Sequence, residues 1–369
     1  MDTNKIIQLK GVTKIFKKTT IINSMNLEVN EGEFLVLLGP SGCGKSTTLR
    51  MMAGLEKASG GEILINGKSA DKNNDFENSF AMVFQDYALY PNMTVYQNLE
   101  YALKVHKVPK NERENRLNKI LDTLNLLDYK DRLPGELSGG QKQRVALGRG
   151  MAKKSNIFLL DEPLSNIDVQ LREKARDEIQ SMHDERHQTI VYVTHDQLEA
   201  MSLGDRIAIM NDGIIQMIDA PDNIYNNPVN LFVAEFVGVP QINILTGSIH
   251  HNGSVYFDNY SLISNEMRLK KIQQTETKLY LGIRPENVNV TKSATGNNSL
   301  PATIDKIVDY GRYQELVLKV GENQLIKAIT TNNDFKERAS VYATFVESRI
   351  ILFNYVTKQN IEYSKDNGQ

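Results

Sequence analysis

The segment GPSGCGKST, which begins at Gly39, constrains the fold of this chain more than any other stretch. It fits the pattern Gly-x-x-x-x-Gly-Lys-Ser/Thr and lies between the apolar run FLVLL (34–38) and the helical pattern TTLRMMAGL (47–55). A strand, a glycine-rich turn and a helix in this order form a loop whose backbone N–H groups surround phosphate oxygens. The segment therefore predicts an α/β domain with a phosphate-binding loop at its centre.

Two side chains of this loop carry specific expectations. Lys45 should reach the β and γ phosphates of a nucleoside triphosphate such as ATP, and the Ser46 hydroxyl should bind Mg²⁺. A chance glycine-rich turn is the alternative, but the flanking strand and helix are those that the motif requires. The predicted nucleotide-binding residues of the loop are Gly39, Pro40, Ser41, Gly42, Cys43, Gly44, Lys45, Ser46 and Thr47.

Two adjacent acids follow the apolar run in NIFLLDEP (156–163). Neighbouring carboxylates at the tip of a strand are costly unless they face a cation or transfer protons. Asp161 is therefore a predicted Mg²⁺ ligand, acting through water. Glu162 is the predicted general base for an attacking water, a role worth a factor of about 10² to 10⁴ in rate. An exposed acidic turn is the alternative interpretation.

Gln85 and His195 also follow apolar runs, in MVFQD and YVTHD. Taken singly, each is more typical of a structural residue. However, the carboxyl ends of parallel strands share one edge of a sheet, where ligands bind. We therefore expect Lys45, Gln85, Asp161 and His195 to converge, with Gln85 in catalysis and metal binding and His195 in catalysis.

The remaining pattern supports an α/β domain with a mainly parallel sheet. Short apolar runs without alternation predict strands covered on both faces, and amphipathic helices lie between them. Further predicted strands are 79–85, 189–196 and 206–213; predicted helices are 114–128, with Leu117, Ile120, Leu121 and Leu124 on one face, and 168–185, with Leu171, Ala175, Ile179 and Met182.

The character of the chain changes after residue 235. Short alternating stretches rich in Tyr, Val, Ile and Thr follow, including KLYLGIRP and ASVYATF. They predict a small antiparallel β domain, either a barrel or a sandwich. The predicted domains are 1–235 and 236–369.

The amino-acid composition excludes some classes of function. Lys plus Arg (43) nearly balance Asp plus Glu (45), so a strongly basic surface for nucleic acid is not indicated. Cys43 is the single cysteine, which excludes an intrachain disulfide and suits a reducing compartment. The N-terminus lacks a signal-peptide core, and no apolar run is long enough to span a membrane. Any role at a membrane is expected to depend on a partner.

A second glycine-containing turn, LSGGQ (137–141), opens another helical pattern. Ser138 is a suitable N-cap, and such a helix end can bind a γ-phosphate. Yet Lys45 and Ser46 already account for one triphosphate, and no second Lys or acidic pair lies near Ser138. The second turn is therefore predicted to serve a neighbouring chain. Two copies stacked head to tail would bury two nucleotides in equivalent sites of a homodimer.

The order of these motifs, with SNID (165–168) after Glu162, resembles the ATP-binding cassette ATPases of ABC transporters over about residues 5–235. The resemblance implies that LSGGQ caps the partner's ATP. It also implies that Phe16 stacks on adenine, whereas the sequence alone favours a core strand residue. The residues implied to reach the partner's nucleotide are Ser138, Gly139, Gly140, Gln141 and Asp168.

Three longer segments resemble the ATPase subunits of bacterial sugar importers, including the maltose type: 81–99, 193–210 and the motif GIRPE (282–286). The resemblance implies an α/β P-loop NTPase domain with a helical subdomain at about 88–155. A small all-β, OB-like regulatory domain would follow. The segment Gln85–Met93 would grip the permease through the docking residues Tyr87, Leu89, Tyr90 and Met93. The alternative place for these four side chains is the core of the helical subdomain.

The function implied is ATP hydrolysis that drives a bacterial importer from the cytoplasmic face of the membrane, together with an extracellular solute-binding protein. The implied cargo is a carbohydrate, specifically an oligosaccharide; glycerol phosphate, polyamine and ferric iron are alternatives. A soluble ABC ATPase without a transport role is a further alternative, which the single cassette and the β-rich tail argue against.

Two single residues carry local expectations. Cys43 lies near a helix N-terminus and Lys45, which would stabilise a thiolate and make it reactive toward alkylating agents if the sulfur is accessible. Gly150 lies within a predicted helix, where glycine costs about 1 kcal/mol relative to alanine.

Overall fold

The computed structural model describes residues 4–70, 80–105, 107–153, 155–249, 254–263, 268, 277–296, 298–322 and 324–363. The chain forms two compact units, Met1–Pro221 and Asp222–Gln369. The first residue of the strand predicted at 79–85 lies outside the described residues.

The first unit is built around a six-stranded sheet. In sheet order the strands are β10 (Ile214–Asp219), β9 (Arg206–Asn211), β3 (Phe34–Leu38), β8 (Thr189–Thr194), β7 (Ile157–Asp161) and β6 (Phe80–Val83). All neighbouring strands pair in parallel except β9 and β10, at one edge, which pair antiparallel. Every residue of β3, β7 and β8 is buried, as expected for strands covered on both faces. The prediction of a mainly parallel α/β sheet is confirmed.

A second, antiparallel sheet packs in the same unit and was not predicted from the sequence. Its order is β2-β1-β4-β5, with β1 (Lys5–Phe16), β2 (Thr19–Asn30), β4 (Gly60–Ile65) and β5 (Lys68–Ser69). Leu9 and Val29 of this sheet share one core with Leu37 of the parallel sheet and with Leu49. Bulges interrupt the register between β1 and β2, which weakens the alternation that marks a strand in sequence.

The two predicted helices exist, one of them with shifted bounds. The helix predicted at 114–128 is α3 (Lys110–Thr123), which begins and ends earlier in the chain, and the one predicted at 168–185 is α5 (Val169–Arg186). All eight apolar residues predicted for their buried faces are buried. Leu124 packs just beyond the end of α3. The helices are α1 (Lys45–Met52), α2 (Val95–Val105), α3 (Lys110–Thr123), α4 (Gly139–Ala152), α5 (Val169–Arg186) and α6 (Gln197–Leu203).

Gly150 allows a close contact between a helix and the sheet, which the sequence pattern did not predict. It lies in α4, where a Cβ atom would come within 2.7 Å of Phe158 Cε2 and 2.8 Å of Val83 Cγ2. Phe158 belongs to β7 and Val83 to β6, so the helix approaches the sheet closely at this point. The close approach offsets the cost of glycine in a helix.

The second unit begins with two short helices, α7 (Pro221–Asn226) and α8 (Leu231–Phe236), and continues as two five-stranded antiparallel sheets around one core. The prediction of a small all-β domain is confirmed. One sheet has the order β13 (Tyr260–Ile263), β12 (Val255–Phe257), β11 (Asn243–Ile249), β14 (Lys278–Ile283) and β20 (Ile351–Asn354). The other has the order β15 (Val288–Thr291), β19 (Ser340–Phe345), β16 (Ser299–Asp309), β17 (Gln314–Val320) and β18 (Gln324–Thr330).

Helix α8 packs within this second unit. Leu231 and Ala234 form a small apolar cluster with Ile242 and Phe353 of the β-rich part. The boundary predicted between residues 235 and 236, like the helical subdomain at about 88–155, stays a prediction of how the domains divide.

Arg284 of the GIRPE motif is a structural residue of the second unit. Its side chain is 2% exposed and donates to the carbonyl oxygens of Ala234 (3.0 Å), Val237 and Tyr225 (2.9 Å). The guanidinium also lies 4.0 Å from the centroid of the Tyr225 ring. One buried cation thus anchors the ends of both short helices, which explains why an Arg stands at this point of the motif.

We expect Gly150→Ala to destabilise the protein although alanine is the better helix former. Overpacking against Phe158 and Val83 should cost about 1–3 kcal/mol, more than the gain in helix propensity of about 1 kcal/mol. The measurement is the unfolding midpoint in urea. Gly135→Ala is the control, because nothing lies within 4 Å of a Cβ atom there. An increase in stability for Gly150→Ala alone would contradict the packing argument.

Candidate nucleotide-binding site

The glycine-rich loop connects the end of β3 to the start of α1, as predicted. Gly44 caps α1 with φ 102°, a left-handed conformation that favours glycine. A Cβ atom on Gly44 would lie 2.4 Å from Ile22 Cδ1, and one on Gly39 would lie 2.3 Å from the Met210 carbonyl oxygen. The loop therefore lies so close to Ile22 and to Met210 that only glycine fits at these two points.

Lys45 lies folded against the inside of this loop. Its side chain is 5% exposed, and Nζ donates to the carbonyl oxygens of Gly39 (2.8 Å) and Pro40 (2.9 Å). These two backbone carbonyls hold the ammonium against the loop. This places positive charge where a phosphate group would enter the loop.

A hydrogen bond links the loop to the end of β7. Ser46 Oγ donates to Asp161 Oδ1 at 2.7 Å. Asp161 is 1% exposed, and burial raises the pKa of its carboxyl group above the ordinary value. Within the described part of the chain, its Oδ2 atom is buried without a hydrogen-bond partner.

This donor set fits Mg²⁺. A hydroxyl and a buried carboxylate with one unpartnered oxygen are hard oxygen ligands, and Mg²⁺ at nucleotide sites needs only one or two carboxylates beside phosphate oxygens. The described residues contain no cluster of three or more His, Cys, Asp or Glu side chains able to form a metal cage by themselves. Metal binding by this pair would therefore depend on oxygens from the nucleotide and from water.

Glu162 and His195 lie together at the same edge of the sheet. Glu162 Oε2 is 3.3 Å from His195 Nδ1, and the two side chains are 18% and 58% exposed. The Glu162 backbone has φ 48°, a left-handed conformation that costs a non-glycine residue about 1–3 kcal/mol. Its N–H group donates to the Val193 carbonyl oxygen at 3.0 Å. Backbone strain of this kind is often found at functional sites, and here it occurs at a residue that carries a carboxylate at the edge of the sheet.

Gln85 and Phe16 lie at the periphery. Gln85 is exposed in a turn just after β6, so it shares the sheet edge with Asp161 and His195. Phe16 ends β1, is 42% exposed, and has Lys14 Nζ 4.6 Å from its ring centroid. The sequence-based alternative of a core position for Phe16 is wrong, because β1 carries this ring past the edge of the packed interior.

The second glycine turn forms a capped helix start. Ser138 Oγ accepts from the Gln141 N–H at 3.3 Å, and Gln141 Oε1 accepts from the Ser138 N–H at 2.8 Å. The N-cap predicted for Ser138 is confirmed. Gly140 lies so close to the chain after Glu162 that a Cβ atom would be 2.7 Å from the Asn166 carbonyl oxygen. Asp168 caps α5 by accepting from the Leu171 N–H at 3.1 Å.

The expectation of a reactive Cys43 is wrong. The side chain is 5% exposed, and burial raises the pKa of the thiol despite the nearby Lys45. The sulfur would lie 2.8 Å from a Cβ atom on Gly39, so it fills space beneath the loop. The helix end and the lysine act on the thiol as expected, but desolvation of the thiolate outweighs them.

The predicted docking segment, residues 85–93, is held by other parts of the first unit. Tyr87 Oη accepts from Asn166 Nδ2 at 3.0 Å, and Arg149 Nη1 donates to the Ala88 carbonyl oxygen at 2.5 Å. Tyr90 is exposed, whereas Tyr87, Leu89 and Met93 are half-buried. None of the four side chains is buried in the core of the unit, but only Tyr90 is exposed.

Two polar residues of the site were missed in sequence. Glu199 is buried in α6 and accepts from Thr194 Oγ1 (2.8 Å) and Tyr192 Oη (2.9 Å), which steadies the strand end that carries His195. The available signal was an acid one helical turn after the histidine. Gln143, in α4, donates to the Glu162 carbonyl oxygen at 2.9 Å. No pattern in sequence connected it to Glu162.

Comparison with known proteins decides the family. The ABC transporter family matches residues 22–165, and the TOBE domain family matches residues 281–353. The trehalose/maltose import ATP-binding protein MalK of Thermococcus litoralis is 40% identical over 368 residues, covering 96% of this chain and 99% of that protein. The chain belongs to the ATP-binding subunits of ABC transporters.

Other relatives of this ABC subunit agree. The sn-glycerol-3-phosphate import ATP-binding protein UgpC 1 of Rhizobium johnstonii is 44% identical over 309 residues, covering 83% of this chain and 82% of that protein. An ATP-binding cassette solved as a dimer in a post-hydrolysis state, bound to ADP and Pi, superimposes with a TM-score of 0.55 at 32% identity. It covers 58% of this chain and 98% of that chain. The resemblance seen in the motifs is confirmed.

The helices that the structure describes include none with both the length and the apolar character needed to cross a lipid bilayer.

We expect Asp161→Asn to make the stability of the ligand-free protein less dependent on pH. Because the folded-state pKa of Asp161 is raised, the folded protein retains a proton that the unfolded chain releases. Its contribution to stability is therefore full below the ordinary value of 3.8 and is lost as the pH rises through the folded-state pKa. Melting temperatures of wild type and variant, measured from pH 4 upward, should diverge in favour of the variant. Parallel curves would contradict this assignment.

Proposed function

We propose that the chain is the ATP-hydrolysing subunit of an ABC importer and energises carbohydrate uptake through a separate membrane permease. The observation that carries the proposal is the meeting of three features at one sheet edge: the phosphate loop, the Ser46–Asp161 hydrogen bond and the Glu162–His195 pair. Together they supply a phosphate cradle, a Mg²⁺ ligand set and a group able to accept a proton from water.

The loop and its lysine would bind the nucleotide. The backbone N–H groups of residues 39–47 would donate to phosphate oxygens, and Lys45 would offset the charge of the β and γ phosphates. The exposed ring of Phe16 would stack on adenine. Ser46, Asp161 and Gln85 would hold Mg²⁺, which neutralises charge on the phosphates when it is bound.

Glu162 would act as the general base. Its backbone N–H group is bonded to the Val193 carbonyl oxygen near the end of β8, and the partly exposed side chain can be reached by water. His195 lies at hydrogen-bonding distance from that carboxylate and, being more exposed, would contact the γ-phosphate and keep the carboxylate oriented. Both side chains follow strands that pair in parallel with β3 or with its neighbour β8, so the sheet fixes their separation.

A homodimer would complete each site. The hydrogen bonds of Ser138 and Gln141 are made within their own helix start, which leaves the exposed end of α4 facing outward in the described part of the chain. Ser138, Gly139, Gly140, Gln141 and Asp168 would approach the nucleotide of the opposite chain. The dimeric cassette to which this chain is similar supports the arrangement.

The partners and cargo follow from the relatives' names and from the docking segment. Residues 85–93, with Tyr90 exposed, would bind a permease on the cytoplasmic face of the membrane, and an extracellular solute-binding protein would deliver the cargo. The relative named for trehalose/maltose import matches 96% of this chain, which favours a carbohydrate. The relative named for sn-glycerol-3-phosphate import keeps glycerol phosphate as the second candidate.

Ser138→Arg and Lys45→Ala should complement each other in mixed dimers. Each variant alone should hydrolyse ATP poorly, because both of its sites contain the defect. In a heterodimer, one composite site carries both defects and the other carries neither. Differently tagged chains purified as heterodimers should therefore recover up to about half of wild-type phosphate release if sites act independently. Absence of recovery in confirmed heterodimers would contradict the head-to-tail dimer.

Deleting the gene should abolish uptake of a carbohydrate. The measurement is uptake of radiolabelled trehalose, maltose, other sugars, glycerol phosphate, polyamines and ferric iron in the deletion strain. Wild-type protein should restore the lost uptake, and Lys45→Ala, made at equal levels, should not. Loss of glycerol phosphate uptake alone would reassign the cargo, and unchanged uptake of every solute would overturn the importer role.

A further inference from the structure

The side chain of Gln143 connects two segments to which the proposed function gives different tasks. It lies in α4, behind the turn formed by Ser138–Gln141, and is only 2% exposed. In the described part of the chain, the hydrogen bonds of its amide do not go to the phosphate loop. Its contacts are with the chain between Glu162 and Asn166, which follows β7.

All the hydrogen-bonding groups of this amide are directed at that short segment. Gln143 Nε2 donates to the Glu162 carbonyl oxygen at 2.9 Å and to Ser165 Oγ at 3.2 Å. Gln143 Oε1 accepts from the Asn166 N–H at 2.7 Å. A buried amide with every contact on one turn fixes the position of that turn closely, since losing either partner would leave a buried polar group unpaired.

The segment it holds is the strained one. Glu162 adopts φ 48°, and its carbonyl oxygen also accepts from Ser165 Oγ at 3.2 Å. A left-handed backbone at a non-glycine residue persists only where its surroundings over-determine it. The Gln143 amide is one such restraint, and it comes from a different element of the unit.

We propose that Gln143 is a positioning residue for ATP hydrolysis: it holds the Glu162 backbone so that the carboxylate points at the attacking water. The inference rests on the proposed role of Glu162 as general base. Because Gln143 stands on α4, it also ties this base to the helix whose start would contact the nucleotide of the opposite chain. Movement of α4 in one chain on dimer closure would thus be transmitted to Glu162 of the same chain. That Glu162 would act on the nucleotide bound by its own phosphate loop, whereas the start of α4 would contact the nucleotide of the opposite chain.

The Gln143 amide donates through Nε2 and accepts through Oε1, so two substitutions can separate these contacts. Gln143→Met keeps the length of the side chain and removes both kinds of hydrogen bond. Gln143→Glu keeps an acceptor for the Asn166 N–H but removes the donor to the Glu162 carbonyl oxygen. Gln180→Met is the matched control, because the Gln180 amide bonds along its own helix to Asp184 at 3.0 Å, away from the site.

The experiment measures kcat from phosphate release, the Kd for MgATP and the melting temperature for each variant. Both Gln143 variants should lower kcat by about 10–100-fold, the usual effect of misplacing a reacting group by about an ångström. The Kd should stay within about twofold of wild type, because the amide hydrogen bonds of Gln143 among the described residues go to the segment 162–166 and not to the phosphate loop. Gln180→Met should keep wild-type kcat.

A double-mutant cycle with Glu162→Gln separates positioning from general structural support. If Gln143 acts through the base, Gln143→Met should lower kcat little further once Glu162→Gln has removed that base. Full additivity, or wild-type kcat in a folded Gln143→Met protein, would overturn the inference and leave the proposed function intact. Wild-type kcat in Glu162→Gln itself would instead overturn the assignment of the base, and the inference with it.

Discussion

Parallel pairing around β3 is the constraint on which the site depends. β8 and β9 flank β3, β7 pairs with β8, and β6 pairs with β7, all in parallel. Strands that run in the same direction end at the same edge, so the residues that follow each strand are carried to that one edge of the sheet. The phosphate loop, Gln85, Asp161 and His195 come from distant parts of the chain and share this one edge.

Polar groups at that edge are arranged at a cost to stability. Asp161 and Glu199 are buried carboxyl groups whose pKa values are raised by desolvation, and Glu162 has a left-handed backbone. None of these features favours folding by itself. Each places an oxygen atom where it can bind a cation, accept a hydrogen bond from water or accept one from the end of a neighbouring strand. The apolar core beneath, shared by both sheets of the first unit, offsets the cost.

Close backbone approaches account for several glycines with quite different roles. Gly39 and Gly44 let the phosphate loop press against neighbouring strands, whereas Gly140 lets the start of α4 meet the carbonyl of Asn166. Gly150 brings the same helix against Phe158. Along α4, two glycines and the Gln143 amide therefore face the strand that ends in Asp161 or the turn that follows it. Helix α4 therefore packs against β7 at Gly150 and against the turn after β7 at Gly140 and Gln143.

Local patterns in the amino-acid sequence were enough to predict the parallel sheet, the phosphate loop, the cap at Ser138 and the β-rich second unit. These follow from local patterns: apolar runs, glycine spacing and alternation. Tertiary structure alone decided the antiparallel sheet of β1, the burial of Cys43, the exposure of Phe16 and the contacts of Gln143 and Glu199. Those outcomes depend on which distant segment packs against each residue, and on whether desolvation or a nearby charge has the larger effect there. Neither the packing partner of a residue nor the balance between desolvation and nearby charge can be predicted from a local pattern, because both arise only when the chain is folded.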